Sequence, residues 1–159
     1  MMGSMNPVFL DRAVDLSRRG MRAGEGGPFG AVIVRGEDIV AEGVNRVIAT
    51  RDPTNHAEII AIRSAARVLD SFDLSGCELY ANAEPCPMCL GAIYWARLDA
   101  VYFANSRADA AEIGFDDAMI YEELDKDADQ RRIPFKHHPD ARARAVFAEW
   151  LATEDKTQY

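Results

Sequence analysis

The chain has 159 residues, of which 48% are hydrophobic and 28% charged, and its formal net charge is −8. This length predicts one domain that can bury a core without disulfides, and the acidic balance disfavours nucleic acid, whose phosphates repel it. No apolar run is long enough for a membrane span, and the N-terminus carries no signal-peptide pattern. Three cysteines, two of them in a C-x-x-C, are not typical of a secreted disulfide framework, so we expect a cytoplasmic protein.

The first half of the chain predicts a helix, a β-hairpin and a second helix. Apolar side chains recur at helical spacing over Pro7–Arg22. A Gly/Pro-rich loop follows, and two apolar runs separated by turn residues predict paired strands over 29–34 and 39–44. Residues 52–55 are typical of a helix N-terminus, with Thr or Asn as the cap, and this helix is expected to reach about Val68.

The second half alternates strands and helices. The predicted elements are a strand over 77–81, a short helix over 90–95, a strand over 99–104, a helix over 109–124 interrupted at Gly114, a candidate edge strand within 131–138 and a terminal helix over 143–152. Strands separated by helices predict an α/β/α layer sandwich with some parallel pairing. A single domain over 1–159 is expected, with residues 1–4 set aside as a candidate cloning remnant.

Two short motifs carry the candidate chemistry. His56-x-Glu58 precedes Cys86-x-x-Cys89 by about 30 residues. One histidine and two cysteines are three zinc ligands, which leave one position for water, as in a catalytic site. Cys86 and Cys89 share one side of a helical first turn, where the positive helix end favours thiolates. Glu58 supplies a carboxylate that can move protons.

Each motif alone also has a simpler interpretation. Asn55-x-x-Glu58 could form a capping box, His56 could be a structural histidine, and the cysteine pair could be a redox pair. Cys77, in a predicted strand, is expected to be a buried apolar residue. The joint pattern, His-x-Glu followed by Pro-Cys-x-x-Cys, is however the signature of zinc deaminases.

On these motifs the chain resembles the cytidine-deaminase-like superfamily, and within it bacterial guanine deaminases. The stretches that carry the resemblance are 26–34, Asn45, 52–54, 56–58, 84–97, 113–117 and Tyr159. The resemblance extends from about Phe9 to the end and implies a three-layer α/β/α sandwich of the cytidine-deaminase-like type, with a mixed five-stranded sheet flanked by helices. It also implies one zinc ion per subunit and a homodimer in which the C-terminal segment, about 140–159, is exchanged between subunits.

The resemblance further implies a set of purine-binding residues. Asn45 would hydrogen-bond the purine, and Asp117 would accept from the N–H groups of guanine. Phe29 and Trp95 would form walls around the base, and Tyr159 would close the pocket from its own chain or the partner. A carboxylate suits guanine, which offers two N–H donors on one edge, better than adenine, whose N1 is an acceptor. Spacing alone also allows ordinary surface, turn or core roles for all five.

The implied activity is hydrolytic deamination of guanine to xanthine and ammonia, a step of purine catabolism. Zinc-bound hydroxide would be the nucleophile, and Glu58 would shuttle the protons. The nearest alternative is the same chemistry on guanosine, cytosine or a nucleotide, because sequence does not show the space around N9.

Two further alternatives belong to other classes. A tRNA adenosine deaminase shares the zinc motifs and needs a basic face, but the basic residues of 131–144 follow a strongly acidic stretch. A non-catalytic zinc or redox module predicts a fourth protein ligand or a reversible disulfide. His137 and His138 are the remaining histidines, and nothing in their pattern directs them to zinc.

Overall fold

The computed structural model describes residues 5–159, so the candidate cloning remnant, 1–4, lies outside the described part. The chain separates into two compact units, the first ending at Asp117 and the second comprising Ala118–Tyr159. The expectation of one domain over 1–159 stays a prediction. None of the described helices combines the length and apolar character needed to cross a bilayer, and the cytoplasmic location stays a prediction.

The first unit contains most of the regular structure. Its elements are α1 (Pro7–Arg22), β1 (Gly30–Arg35), β2 (Asp38–Val44), α2 (Val47–Thr50), α3 (Ala57–Val68), β3 (Glu78–Ala83), α4 (Pro87–Trp95), β4 (Ala100–Asn105) and α5 (Arg107–Glu112). The second unit contains α6 (Ala118–Leu124), a 3-10 turn (Ala128–Gln130) and α7 (Ala141–Ala152). The predicted helices and the hairpin are confirmed, including the interruption at Gly114, which separates α5 from α6. The one-turn helix α2 is too short to leave a periodic signal.

The sheet is mixed, as expected, but it has four strands in the described chain. Their order is β2-β1-β3-β4, with β1 antiparallel to both neighbours and β3 parallel to β4. The expectation of a fifth strand is wrong here, since residues 131–138 form no strand. Pro134 lies in this segment and has no N–H to donate to a neighbouring strand.

Alternate residues of β1 and β3 point to opposite faces of the sheet, and each face has its own core. Ile33 and Leu79 join the cluster that includes residues of α3 and α4. Val32 and Tyr80 join the cluster that contains Leu16 of α1. The sheet therefore lies between α1 and the α3–α4 pair, which confirms the three-layer α/β/α arrangement.

Candidate metal centre

The starts of two helices bring the predicted ligands together. His56 is the N-cap residue of α3, Cys86 is the N-cap residue of α4, and Cys89 lies in the first turn of α4. Neither side chain caps the start of its own helix; both instead belong to the cluster described next. The first turn of α3 lies directly on β2, because a Cβ on Gly43 would come within 2.1 Å of the Ala57 carbonyl oxygen.

The three ligand atoms lie within 4.8 Å of one another. Cys86 Sγ is 3.5 Å and Cys89 Sγ is 3.6 Å from His56 Nδ1. Two sulfurs and one imidazole nitrogen form a donor set that suits zinc. The described residues add no fourth member to this group, and its cysteines are free thiols. This arrangement fits an open, catalytic zinc site better than a closed structural one.

The charge state of the two cysteines also suits a cation. The pKa of the Cys86 thiol is lowered to about 4, first by the hydrogen bond from Cys89 and then by His56. The pKa of Cys89 is raised, first by the same hydrogen bond with Cys86 and then by burial. The pair thus holds one negative charge and one proton, and a divalent cation would displace that proton.

Glu58 lies beside this cluster and is buried. Its side chain sits in the first turn of α3, with 7% of the residue exposed. Burial raises the pKa of the Glu58 carboxyl, and the negative charge of Cys86 raises it further, while His56 opposes both. A carboxyl group whose pKa is raised holds a proton more readily than an exposed one, which suits a residue that accepts and releases a proton during catalysis.

The predicted start of this helix at 52–55, with Thr or Asn as the cap, is wrong. α3 begins at Ala57, and the Asp52 side chain instead accepts hydrogen bonds from the N–H and hydroxyl of Thr54 in a turn. The Asn55 side chain donates to the Thr50 hydroxyl at 2.9 Å and accepts from Arg63 at 3.0 Å. The capping-box interpretation of Asn55 is therefore wrong too.

Of the predicted purine-binding residues, Asp117 comes near the metal cluster. It is half-buried, and its pKa is raised first by burial and next by the negative charge of Cys86.

Glu84, next to the metal motif, accepts a hydrogen bond from the Arg107 N–H at 2.9 Å. This contact ties the start of α5 to the loop that leads into the metal motif.

Phe29 ends the Gly-rich loop before β1, and Asn45 directly follows β2; the Asn45 N–H donates to the Phe29 carbonyl oxygen at 3.0 Å. The Phe29 ring packs against the core cluster on the α3–α4 face and makes an edge-on contact with Phe115, with centroids 4.9 Å apart. Asn45 is buried, and its Oδ1 accepts from the N–H groups of Gly27 at 3.3 Å and Val47 at 3.2 Å. Phe115 lies in the 113–117 stretch that carries the resemblance, but no site role was predicted for it, because its contact with Phe29 forms only in the folded chain.

Trp95 and Tyr159 are both largely exposed. Trp95 ends α4, six residues beyond Cys89, a helical rise of about 9 Å, and is 69% exposed. Tyr159 belongs to the second unit and is 70% exposed. Their substrate roles stay predictions.

Known proteins share this sequence and geometry. The model of the cytidine and deoxycytidylate deaminase zinc-binding region matches residues 4–105. The guanine deaminase of Bacillus subtilis (strain 168) is 52% identical over 152 residues, which are 96% of this chain and 97% of that one. The X-ray structure of guanine deaminase from Bacillus subtilis has a TM-score of 0.95 at 51% identity and covers 98% of this chain and 99% of its own. A tRNA-specific adenosine deaminase of Aquifex aeolicus (strain VF5) is 34% identical over 143 residues, or 90% of this chain and 91% of that protein. The chain therefore belongs to the cytidine and deoxycytidylate deaminase family of zinc-binding proteins.

Proposed function

We propose that the protein hydrolyses guanine to xanthine and ammonia. The observation that best supports deaminase activity is the buried Glu58 carboxylate beside a candidate metal centre with three protein ligands. Guanine as the substrate is supported by the 52% identity with the Bacillus subtilis guanine deaminase across almost the whole chain. The tRNA-specific relative is much less similar, at 34% identity.

The residues of the chain divide the chemistry between them. His56, Cys86 and Cys89 would hold the zinc ion, which would supply an activated water by lowering the pKa of that water. Glu58 takes up a proton from this water and delivers it to N3 of the base, as water oxygen adds to C2. Glu58 then passes the second water proton to the amino group on C2, which leaves as ammonia. One buried carboxyl group thus serves as base and then as acid.

The hydrogen-bonding state of Asn45 specifies what it can offer to the base. Its Oδ1 already accepts from the N–H groups of Gly27 and Val47, and a Cβ on Gly26 would lie 2.0 Å from this oxygen. Its Nδ2 is therefore the group for the substrate, and Asn45 acts as a donor to a purine acceptor atom.

The remaining contacts orient the base. Asp117 accepts from the N–H donors of guanine, and the Phe29–Phe115 pair forms an aromatic wall. Trp95 provides a second wall, and its exposed ring at the far end of α4 can do so across a subunit interface.

Ammonia release from a panel of substrates tests this function. We expect zinc-loaded protein to turn over guanine with a kcat/KM at least about tenfold above that of adenine, because the two donors of guanine pair with Asp117 and adenine leaves that carboxylate unpaired. Turnover of guanosine and cytosine is expected to be slower than that of guanine. A tRNA anticodon stem is expected to be inert. Preferred turnover of guanosine or of the tRNA stem would reject the guanine assignment and keep the deaminase class. No turnover of any member would favour the non-catalytic module.

We also propose a homodimer that exchanges its C-terminal segment, about 140–159. α7 has no buried residue, and its apolar side chains Val146, Phe147 and Leu151 are 59–79% exposed. A helix of 12 residues is marginal in water unless its apolar side packs against a partner. Tyr94 on α4 is 77% exposed, so a second copy has apolar surface to cover in both units. Tyr159 then closes the pocket.

Removal of residues 157–159 tests the closing role of Tyr159. This truncation keeps Lys156, whose ammonium donates to the carbonyl oxygens of Leu151 and Thr153 at 2.9 Å and so completes the end of α7. We expect kcat/KM for guanine to fall at least about tenfold, since an open pocket admits water, while zinc content and dimer mass stay unchanged. Light scattering should give twice the 17.6 kDa of one chain. A fully active truncated enzyme would refute closure by Tyr159, and a monomeric mass would refute the dimer.

A further inference from the structure

The strand that leads into the metal motif carries a buried amide that holds the loop of Phe29. Asn82 lies on β3, four residues before Cys86, and is 8% exposed. Its Oδ1 accepts from the Gly30 N–H at 2.8 Å, and its Nδ2 donates to the Pro28 carbonyl oxygen at 2.8 Å. These two contacts lie on either side of Phe29 in the chain.

The two Asn82 contacts extend the link between β1 and β3 beyond the point where the backbone pairing of these two strands ends. The antiparallel register of β1 and β3 reaches Ala31 opposite Ala81. The next two residues along this register are Gly30 and Asn82, and here the side chain of Asn82 accepts from the Gly30 N–H. The two chains therefore stay fixed to each other at the end of the sheet that leads to the metal motif, through a side chain with specific geometry.

The position of the Phe29 ring depends on this loop. The backbone N–H of Phe29 donates to the Gly27 carbonyl oxygen at 2.8 Å, and the backbone carbonyl oxygen of Phe29 accepts from the Asn45 N–H at 3.0 Å. Its ring then contacts Phe115 and the core cluster on the α3–α4 face. Asn82 adds the connection between this loop and β3, the strand that continues into the cysteine motif.

We propose that Asn82 is a positioning residue that fixes the Phe29 wall relative to the metal centre and thereby sets the affinity for the base. The inference rests on the proposed function, in which Phe29 stacks against the purine. Asn82 acts through Pro28 and Gly30, because both polar atoms of its side-chain amide, Oδ1 and Nδ2, are already hydrogen-bonded to them. Its loss should therefore affect substrate binding more than the chemical step.

The first test is Asn82→Ala in the zinc-loaded enzyme. We expect the KM for guanine to rise roughly tenfold, as for a loss of one well-placed contact, with kcat within about threefold of the original. Zinc content should stay at one per chain. Equilibrium binding of the product xanthine, measured by calorimetry, should weaken by the same factor.

A double variant tests the route through the aromatic wall. If Asn82 acts through Phe29, Asn82→Ala should change KM little in a protein that already carries Phe29→Leu. Tyr80→Phe is the matched control. Tyr80 lies two residues earlier on the same face of β3 and is also buried, and the substitution removes the hydroxyl that accepts from the Asn6 N–H. Its KM should be unchanged.

Three outcomes would overturn the inference: an unchanged KM in Asn82→Ala, effects of the two substitutions that multiply, or a loss of zinc. If Asn82→Ala does not fold, Asn82→Asp decides the question, because it keeps the acceptor for Gly30 and loses the donor to Pro28. The proposed function is tested separately, by the rate of the unsubstituted enzyme with guanine and by the rise in KM in Phe29→Leu alone.

Discussion

Glu58→Gln is expected to lower kcat by about 10²- to 10⁴-fold, the usual contribution of a positioned acid–base group. The amide keeps the size of the buried side chain but can neither take a proton from water nor deliver one to N3 and the leaving amine. The zinc ligands are untouched, so zinc content should stay at one per chain and KM should change little. Steady-state ammonia release together with metal analysis measures both.

Glu42→Gln is the matched control for this substitution. Glu42 lies on β2 and forms a bidentate ion pair with Arg12 at 2.6 and 2.8 Å, and the hydrogen bond with Arg12 lowers its pKa. Glu42→Gln removes a carboxylate from the same unit without touching the metal centre, so turnover should persist. Near-normal turnover in Glu58→Gln, or loss of its zinc, would contradict the shuttle role.

The grouping of His56, Cys86 and Cys89 was predictable because its signal is local and the chemistry of zinc ligands is restrictive. Cys86 and Cys89 are three residues apart, and a helical turn brings such a pair to one side. His56 was predicted from the joint pattern, His-x-Glu followed by Pro-Cys-x-x-Cys. The exact start of α3 was missed, because Asp, Thr and Asn side chains hydrogen-bond the backbone in turns as readily as at helix N-termini. Here Asp52 accepts from the Thr54 N–H in such a turn.

The features of the site that could not be predicted from the sequence depend on contacts between residues far apart in the chain. The partners of Asn82 lie 52 and 54 residues away in the chain, and an asparagine near the end of an apolar strand has no spacing that indicates them. Phe115 likewise meets Phe29 only in the folded protein. The resemblance implied a fifth strand, and the sequence offered residues 131–138 as a candidate edge strand, but an edge strand forms only where a neighbour offers its backbone groups.

Replacing one of the two candidate cysteine ligands is expected to weaken zinc binding strongly. Cys89→Ser should weaken zinc affinity by more than about 100-fold, because even residues that only orient ligands contribute about 10- to 100-fold. A serine hydroxyl stays protonated where zinc needs an anionic sulfur. Ammonia release should then fall to the level of the chelator-treated enzyme.

Cys77→Ala separates ligation from a general loss of packing. Cys77 is fully buried, like Cys89, but it lies in the core cluster away from the ligand group. Its removal costs a small cavity and no ligand, so we expect zinc content and turnover to persist. Metal analysis after dialysis, together with ammonia release, compares the two variants. Zinc retained in Cys89→Ser, or lost in Cys77→Ala while the protein stays folded, would contradict the assignment of His56, Cys86 and Cys89 as the complete set of protein ligands.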